Sequence, residues 1–386
     1  MLTQVTYQNF KALRDVEIAL EQMTVLVGPN GIGKSTALDG LAKILGLLKT
    51  IDKGNLNDTD DNLFGKGWVD AHHWFSPNRS SGVSLSITAN PLGRFLWAIK
   101  NSDNKITAST LQMPNGETAD FTTDMYPPRS SRFTQGNDLK SLPVAHRLRL
   151  DPEALASPSP AATGHPEMTN TGQGLATLLA HLAVLRDGSL ERIEEQLQRL
   201  VPDFRRIFTP SVEVQETEAS QLATKGASST FEFSTRKVGG FKLELEFDKI
   251  GRIPAAHVSE GTLLGLGLLT FLHMHPASLI LMDDVERGLH PGAQQRLIEI
   301  FSAILATTHK DCQMVLTTHS PDLIDACKPE QVRVFGRDSL GDVKVRRLED
   351  HPEASKWLKM VRAGEFWSTV GEDWLGEFPE QASGHP

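Results

Sequence analysis

The residues best able to do chemistry begin with Gly28-Pro29-Asn30-Gly31-Ile32-Gly33-Lys34-Ser35, followed by Thr36. The spacing G-x-x-x-x-G-K-S lets backbone N–H groups turn inward and cradle phosphate oxygens. Lys34 would reach the β- and γ-phosphates of a nucleotide, and Ser35 would offer its hydroxyl oxygen to Mg2+. A second group ends the apolar run Ser278–Met282 in two carboxylates, Asp283 and Asp284. At a strand end, the first would sit near the metal and the second near the γ-phosphate. A third is His319, which closes the apolar run Met314–Thr318, where open α/β sheets place their ligands. It is positioned to hydrogen-bond the γ-phosphate or an attacking water. The fourth is Val258-Ser259-Glu260-Gly261-Thr262. Ser259 as N-cap with Glu260 in the first turn reads as simple helix capping; alternatively Ser259, Gly261 and the helix N-terminus form a second γ-phosphate clamp.

These groups need elements to hold them. Met23–Val27, directly before the glycine-rich turn, is almost continuously apolar, as in a strand covered on both faces. A helix is expected from about Ser35 to Leu48, on which the phosphates would sit. Upstream, Val5–Phe10 and Val16–Leu20 alternate apolar and polar residues and read as a hairpin. Val83–Thr88 and Leu96–Ile99 read as strands, and Tyr126–Asn137 and Ala156–Met168 as loops. Gly174–Leu200 is expected to be helical, with Leu175, Leu178, Leu179 and Leu182 on one face. Ser211–Ser229 reads as a polar, mobile excursion, followed by strands at Thr230–Thr235 and Phe241–Phe247. Helix and strand then alternate: helix from Glu260, strand Ser278–Met282, helix from Pro291, strands Met314–Thr318 and Val332–Phe335.

Composition bounds the function. A chain of 386 residues, 39% hydrophobic, has room for two or three domains at about 150 residues each. The formal charge of −9 argues against a protein coated for wrapping nucleic acid, though not against a local basic patch. The two cysteines, Cys312 and Cys327, make neither a disulfide framework nor a zinc ribbon, and a reducing cytosol suits them. The most apolar stretch, Leu263–Leu272, is too short to span a membrane and reads as a buried helix. No signal-peptide core is expected at the N-terminus, which carries Lys11, Arg14, Asp15, Glu17 and Glu21.

In their order, the four motifs resemble the Walker A, signature, Walker B and switch-histidine elements of ABC-type ATPases. Asn9-Phe10-Lys11-Ala12-Leu13 and Val25–Gly31 are similar to the openings of soluble RecF-like, SMC-like and OLD-family members. Glu286-Arg287-Gly288-Leu289-His290-Pro291 and Thr318-His319-Ser320-Pro321-Asp322 point to the RecF/OLD side. Leu148–Ser159 and Pro166–Leu200 resemble the helical lobe of standalone members of bacterial defence operons. The resemblance implies an α/β fold: an ABC-type P-loop ATPase head, with a mixed β-sheet and an inserted helical lobe. Residues 1–145 would form the N-terminal part of the head, 146–229 the lobe, and 230–386 the C-terminal part.

The resemblance also implies Mg2+ and ATP as cofactors, and a dimer with a second copy or a related head. In that dimer Ser259 and Gly261 of one head act on the nucleotide of the other. The catalytic glutamate position holds Asp284, one methylene shorter, so slow hydrolysis is expected, with Glu286 a candidate to assist. Gln112 and Gln135 are weak candidates for the glutamine loop. The residues after His319 are too few for the TOPRIM nuclease of OLD proteins, so an effector, nuclease or toxin, is expected on a separate chain. The expected role is a cytoplasmic nucleotide switch in antiviral defence, with nucleic acid a further candidate partner and no membrane. Two alternatives stand beside it: a DNA-repair ATPase that clamps duplex DNA, and an ATP-binding module with little turnover.

Other residues carry weaker signals. His72-His73 and His273-x-His275 lack Cys or carboxylate partners at metal-binding spacing. Arg129, Arg132, Arg147 and Arg149, with His146, read as a solvated face or else a nucleic-acid contact or phosphate sensor. Trp367 and Trp374 lie in an acidic tail that either packs back on the fold or docks a partner.

Overall fold

The computed structural model describes residues 1–52, 83–102, 105–122, 139–162, 164–222, 230–275, 278–287, 289–307 and 310–376. The first strands are β1 (Leu2–Phe10), β2 (Leu13–Ala19) and β3 (Met23–Val27), followed by α1 (Lys34–Asp52). Then come β4 (Val83–Ala89), β5 (Gly93–Ser102), β6 (Lys105–Gln112), β7 (Thr118–Thr122) and β8 (Val144–Leu148). The middle of the chain forms α2 (Pro152–Ala156), β9 (Ser159–Pro160), α3 (Leu175–Leu185), α4 (Ser189–Leu200), β10 (Phe204–Phe208), β11 (Ser211–Leu222), β12 (Thr230–Phe241), β13 (Glu244–Phe247), β14 (Gly251–Pro254) and α5 (Glu260–Met274). The last stretch holds β15 (Ser278–Met282), α6 (Pro291–Thr307), β16 (Gln313–Thr317), α7 (Pro321–Ile324), β17 (Val332–Arg337), β18 (Val343–Arg347), α8 (Ala354–Trp357) and α9 (Ala363–Val370).

Two compact units result. The first comprises Met1–Arg147, Pro276–Glu286 and Phe301–Pro386. It contains a sheet of order β18-β17-β3-β16-β15-β8, in which β3 pairs in parallel with both β16 and β17. The residues of β3, β15 and β16 are all buried, which explains their unbroken apolar sequences. A second sheet, β2-β1-β4-β5-β6-β7, is antiparallel throughout. The expected hairpin is its β1–β2 pair, with Val5 opposite Ile18. Apolar side chains of both sheets and of α1 share one core, including Tyr7, Phe10, Leu41, Leu45, Trp97 and Phe335. Gln313 ties the sheets together: its amide accepts from Leu2 N at 3.0 Å and donates to Leu2 O at 2.7 Å and Glu21 O at 2.8 Å. Wholly buried, it replaces a missing strand partner by side chain, which keeps those backbone groups satisfied.

The second unit comprises Leu148–His275 and Arg287–Ile300. The lobe is therefore mixed rather than helical. Besides α2 to α5 it holds the sheets β10-β13-β14 and β11-β12-β9. The boundary expected at 229/230 falls inside this unit, because β11 and β12 form one hairpin across it, with Leu222 opposite Thr230. Ser211–Leu222 is thus a strand rather than a loose excursion, and β12 runs without a break to Phe241. The helix expected over Gly174–Leu200 is two helices. Arg186 and Gly188 both take left-handed backbone angles between α3 and α4, the turn that Asp187-Gly188 favours. α5 is buried almost all round, as its apolar sequence requires.

Candidate nucleotide-binding site

The glycine-rich turn joins β3 to α1, so backbone N–H groups at the helix start are available to an anion. Gly28 has φ of +138°, and a Cβ there would lie 2.4 Å from Phe335 O on β17. Gly33 has φ of +118°, and its Cβ would meet Leu13 Cδ2 at 2.9 Å. Only glycine serves at either place, at Gly28 on conformation and on space and at Gly33 on conformation. Lys34 is 5% exposed and donates to Gly28 O at 2.8 Å and Pro29 O at 3.0 Å, so its ammonium lies beneath the turn. Burial pulls its pKa down, opposed by the carboxylates of Asp284, Asp283, Glu286 and Glu372. Pro29, Asn30 and Gly31 form the exposed crest.

The acid pair lies at the end of β15, next to β16 in the sheet. Asp283 Oδ1 accepts from Ser35 Oγ at 2.9 Å and from Thr317 Oγ1 at 2.7 Å. Thr317 Oγ1 in turn accepts from Asp284 N at 2.9 Å, so one hydroxyl fixes both acids. Asp284 has φ of +49°, a left-handed geometry that Asp tolerates better than longer side chains. Its Oδ1 lies 3.9 Å from His319 Nε2, and both side chains are open to solvent. Glu286 Oε1 accepts from the backbone N–H of His319 at 2.7 Å, while Oε2 is buried without a partner among the described residues. Glu286 therefore holds the histidine's backbone through one carboxylate oxygen.

Asp39 escaped the sequence reading, and Arg147 was read there as a solvated face, a nucleic-acid contact or a phosphate sensor. Asp39, one helical turn after Ser35, accepts from Lys11 Nζ at 2.7 Å. Arg147, at the end of β8, bridges Asp39 Oδ1 at 3.3 Å and Asp283 Oδ2 at 3.4 Å. It is thus a site residue rather than part of a solvated face. Lys11 and Leu13, from the opening motif, touch α1 and the glycine turn respectively, which explains why that motif travels with the phosphate loop. The i, i+4 spacing of Ser35 and Asp39 on a helix was the available signal.

Other expectations resolve as follows. Gln112 sits on β6, paired with Leu96 and Thr118 in the antiparallel sheet. Gln135, Arg129, Arg132 and His72-His73 lie outside the described residues. Arg149 is exposed, and its backbone N–H donates to Asn170 O at 3.0 Å. His275 packs its ring against Phe271, centroids 4.2 Å apart. Trp374 is 6% exposed and meets the ring of His351, so this part of the tail packs back. In the second unit, Ser259 caps α5, accepting from Thr262 N at 3.3 Å. With Gly261 it borders an apolar hollow lined also by Leu200, Leu289 and Leu297.

A nucleotide with its cation fits the first unit's residues. A Cβ at Gly28 would strike backbone and one at Gly33 would sit on a left-handed backbone, and the donor set of Ser35 and Asp283 is all oxygen, as hard cations prefer. The fold is that of an ABC-type P-loop ATPase head, and the chain is similar to OLD/RecF-like ATPases. Two family models match: "AAA domain, putative AbiEii toxin, Type IV TA system" over residues 167–325, and "AAA ATPase domain" over residues 1–128. The chain is 22% identical over 388 residues to an OLD nuclease of Thermus scotoductus, covering 92% of this chain and 66% of that protein. It is 36% identical over 70 residues to the Septu protein PtuA of Bacillus thuringiensis, 18% of this chain and 17% of that one. It thus spans less than two thirds of the length of either relative. Among solved structures, an SMC head bound to the C-terminal winged-helix domain of ScpA aligns with a TM-score of 0.51 at 14% identity, covering 93% of this chain and 99% of that one. An SMC head with an extended coiled coil, bound to the C-terminal domain of ScpA from Pyrococcus furiosus, gives 0.50 at 12%, covering 93% and 98%. Among the described residues no helix is long and apolar enough to cross a membrane.

Proposed function

We propose that the chain binds Mg-ATP at the first unit's site and hydrolyses it slowly in a dimer. In that assembly it acts as a nucleotide switch for a separate effector in cytoplasmic antiviral defence. The observation that carries the nucleotide reading is the bond from Ser35 Oγ to Asp283 Oδ1, which joins the phosphate loop to the acid pair. Lys34 would neutralise the β- and γ-phosphates, and Ser35 and Asp283 would hold Mg2+, directly and through water. When bound, the cation polarises the terminal phosphoryl group. Asp284 and His319 flank the space where an attacking water would be oriented. Ser259 and Gly261 would close over the partner head's phosphate. The toxin–antitoxin family description and the likeness to the Septu protein PtuA support the defence role.

The test is calorimetric ATP binding together with turnover, for the purified protein alone and with the product of its neighbouring gene. Lys34→Ala is expected to abolish binding, since it removes the buried cation of the cradle. Unchanged affinity in that variant refutes the site. A second reading, an ATP-binding module with little turnover, is favoured by Asp284 itself, which is short and sits on a left-handed backbone. Turnover that stays negligible even with the neighbour would select it.

A further inference from the structure

Arg147 is the penultimate residue of β8, beside the strand that carries the acid pair. Its contacts differ in quality from those around them. Lys11 to Asp39 at 2.7 Å and Ser35 to Asp283 at 2.9 Å are of ordinary charge-assisted length. Arg147 reaches Asp39 only at 3.3 Å and Asp283 only at 3.4 Å, and its Nε is buried with no acceptor among the described residues. A guanidinium carries five N–H donors in a planar fork that matches phosphate oxygens in pairs. Here that fork is loosely satisfied, against the one oxygen of Asp283 that neither Ser35 nor Thr317 uses. This oxygen is the one left to face a cation, and a cation there would repel the guanidinium.

We propose that Arg147 exchanges partners on nucleotide binding. It holds Asp283 in the ligand-free chain and turns to the terminal phosphate of a nucleoside triphosphate once a divalent cation takes that carboxylate. It thereby distinguishes triphosphate from diphosphate. The proposal rests on the nucleotide reading of the site. It also gives the end of β8 a role next to the metal carboxylate, where the sequence offered no glutamine.

The test is calorimetry with AMP-PNP and with ADP, each with Mg2+, on the parent, Arg147→Ala and Arg147→Lys. Losing a charge-assisted bond to the terminal phosphate should weaken AMP-PNP binding by about tenfold or more and ADP by no more than about twofold. Arg147→Lys, which keeps the charge but not the fork, should fall between. Equal losses for both nucleotides, or an unchanged AMP-PNP affinity, overturn the exchange. If Arg147→Ala does not fold, the same selectivity is required of Arg147→Lys, and its absence overturns the proposal. A parent that binds neither nucleotide sinks the site itself. A parent that binds both, beside variants that lose nothing selectively, sinks only the exchange.

Discussion

Thr317→Val isolates the junction on which the acid pair rests. Thr317 is wholly buried, and valine keeps its branched shape while removing the hydroxyl. Two bonds disappear: the 2.7 Å donation to Asp283 Oδ1 and the 2.9 Å acceptance from Asp284 N. A hydrogen bond to a charged group contributes about 1.5–3 kcal/mol, and an orphaned buried donor costs about 1–3 kcal/mol. Asp283 is 17% exposed and Asp284 58% exposed, so water recovers part of both losses. A net loss of ~2–3 kcal/mol follows from those ranges. Urea unfolding of the ligand-free protein reads the stability, and the Mg2+ concentration for half-maximal nucleotide binding reads the carboxylate. The midpoint is expected to fall, and the Mg2+ requirement to rise as Asp283 loses its orientation. Thr317→Ser retains the hydroxyl and gives up one methyl, roughly 1 kcal/mol. It should preserve the Mg2+ requirement. A valine variant as stable as the parent with the same Mg2+ dependence would refute the reasoning, as would a serine variant that is equally damaged in metal binding.

Ser259→Arg gives up a helix cap, about 1 kcal/mol, yet ATP binding by the single head should persist while ATP-driven dimerisation is lost; equal ATP-dependent dimers in sedimentation would remove the clamp. Asp284→Asn keeps the residue type that tolerates φ of +49° and should slow single-turnover hydrolysis. Asp284→Glu should reach further toward the water but lose about 1 kcal/mol of stability on that backbone; parent-like rates in Asp284→Asn would take Asp284 out of the chemistry. Burial raises the thiol pKa of Cys312 to about 11 and of Cys327 to about 12, so neither should react with a disulfide reagent at pH 8 until urea unfolds the chain. Both thiols are neutral in the native state, so their contribution to stability is full below the unfolded thiol pKa of about 8.5 and is lost as pH rises through the native values, which urea midpoints across alkaline pH would show.

The glycine-rich turn between strand and helix, and the acid pair at a strand end, were legible in position because each is a contiguous string with a local spacing. So were β3, β15 and β16, where burial on both faces writes an unbroken apolar run. Thr317 was not legible in this role, and Arg147 was legible only as one arginine of a loose basic cluster with a phosphate sensor among its readings, because each acts through its neighbour in the sheet. Thr317 faces Asp283 only once β16 lies beside β15, and Arg147 does so only from the end of β8. The hairpin of β11 and β12 was read as loose chain for another reason. Ser211–Gln215 alternates between exposed and half-buried positions, so it carries no apolar signature that a polar loop would lack. Its order comes from the ladder to β12, a pairing between segments that the local sequence does not announce.

The site joins fixed backbone to free side chains. At the acid pair, Asp284 N is held by Thr317 Oγ1 and Val285 N by Thr317 O at 3.2 Å. At the histidine, Thr318 N donates to Leu26 O at 3.1 Å, His319 N to Glu286 Oε1, and Ser320 N to Thr318 Oγ1 at 3.0 Å. Beyond it, Asp325 Oδ1 accepts from Gly364 N at 2.8 Å and Glu365 N at 3.3 Å, which caps α9 against the same segment. The backbone is therefore tied on both sides of His319, and little adjustment remains there. The side chains of Asp284 and His319 are the exception, 58% and 35% exposed and 3.9 Å apart. That gap is too long for a direct hydrogen bond, and one water can bridge it. An aspartate at this position thus serves two demands at once. It accepts the left-handed backbone at φ of +49°, and it leaves between itself and the imidazole the space that a longer glutamate would begin to fill.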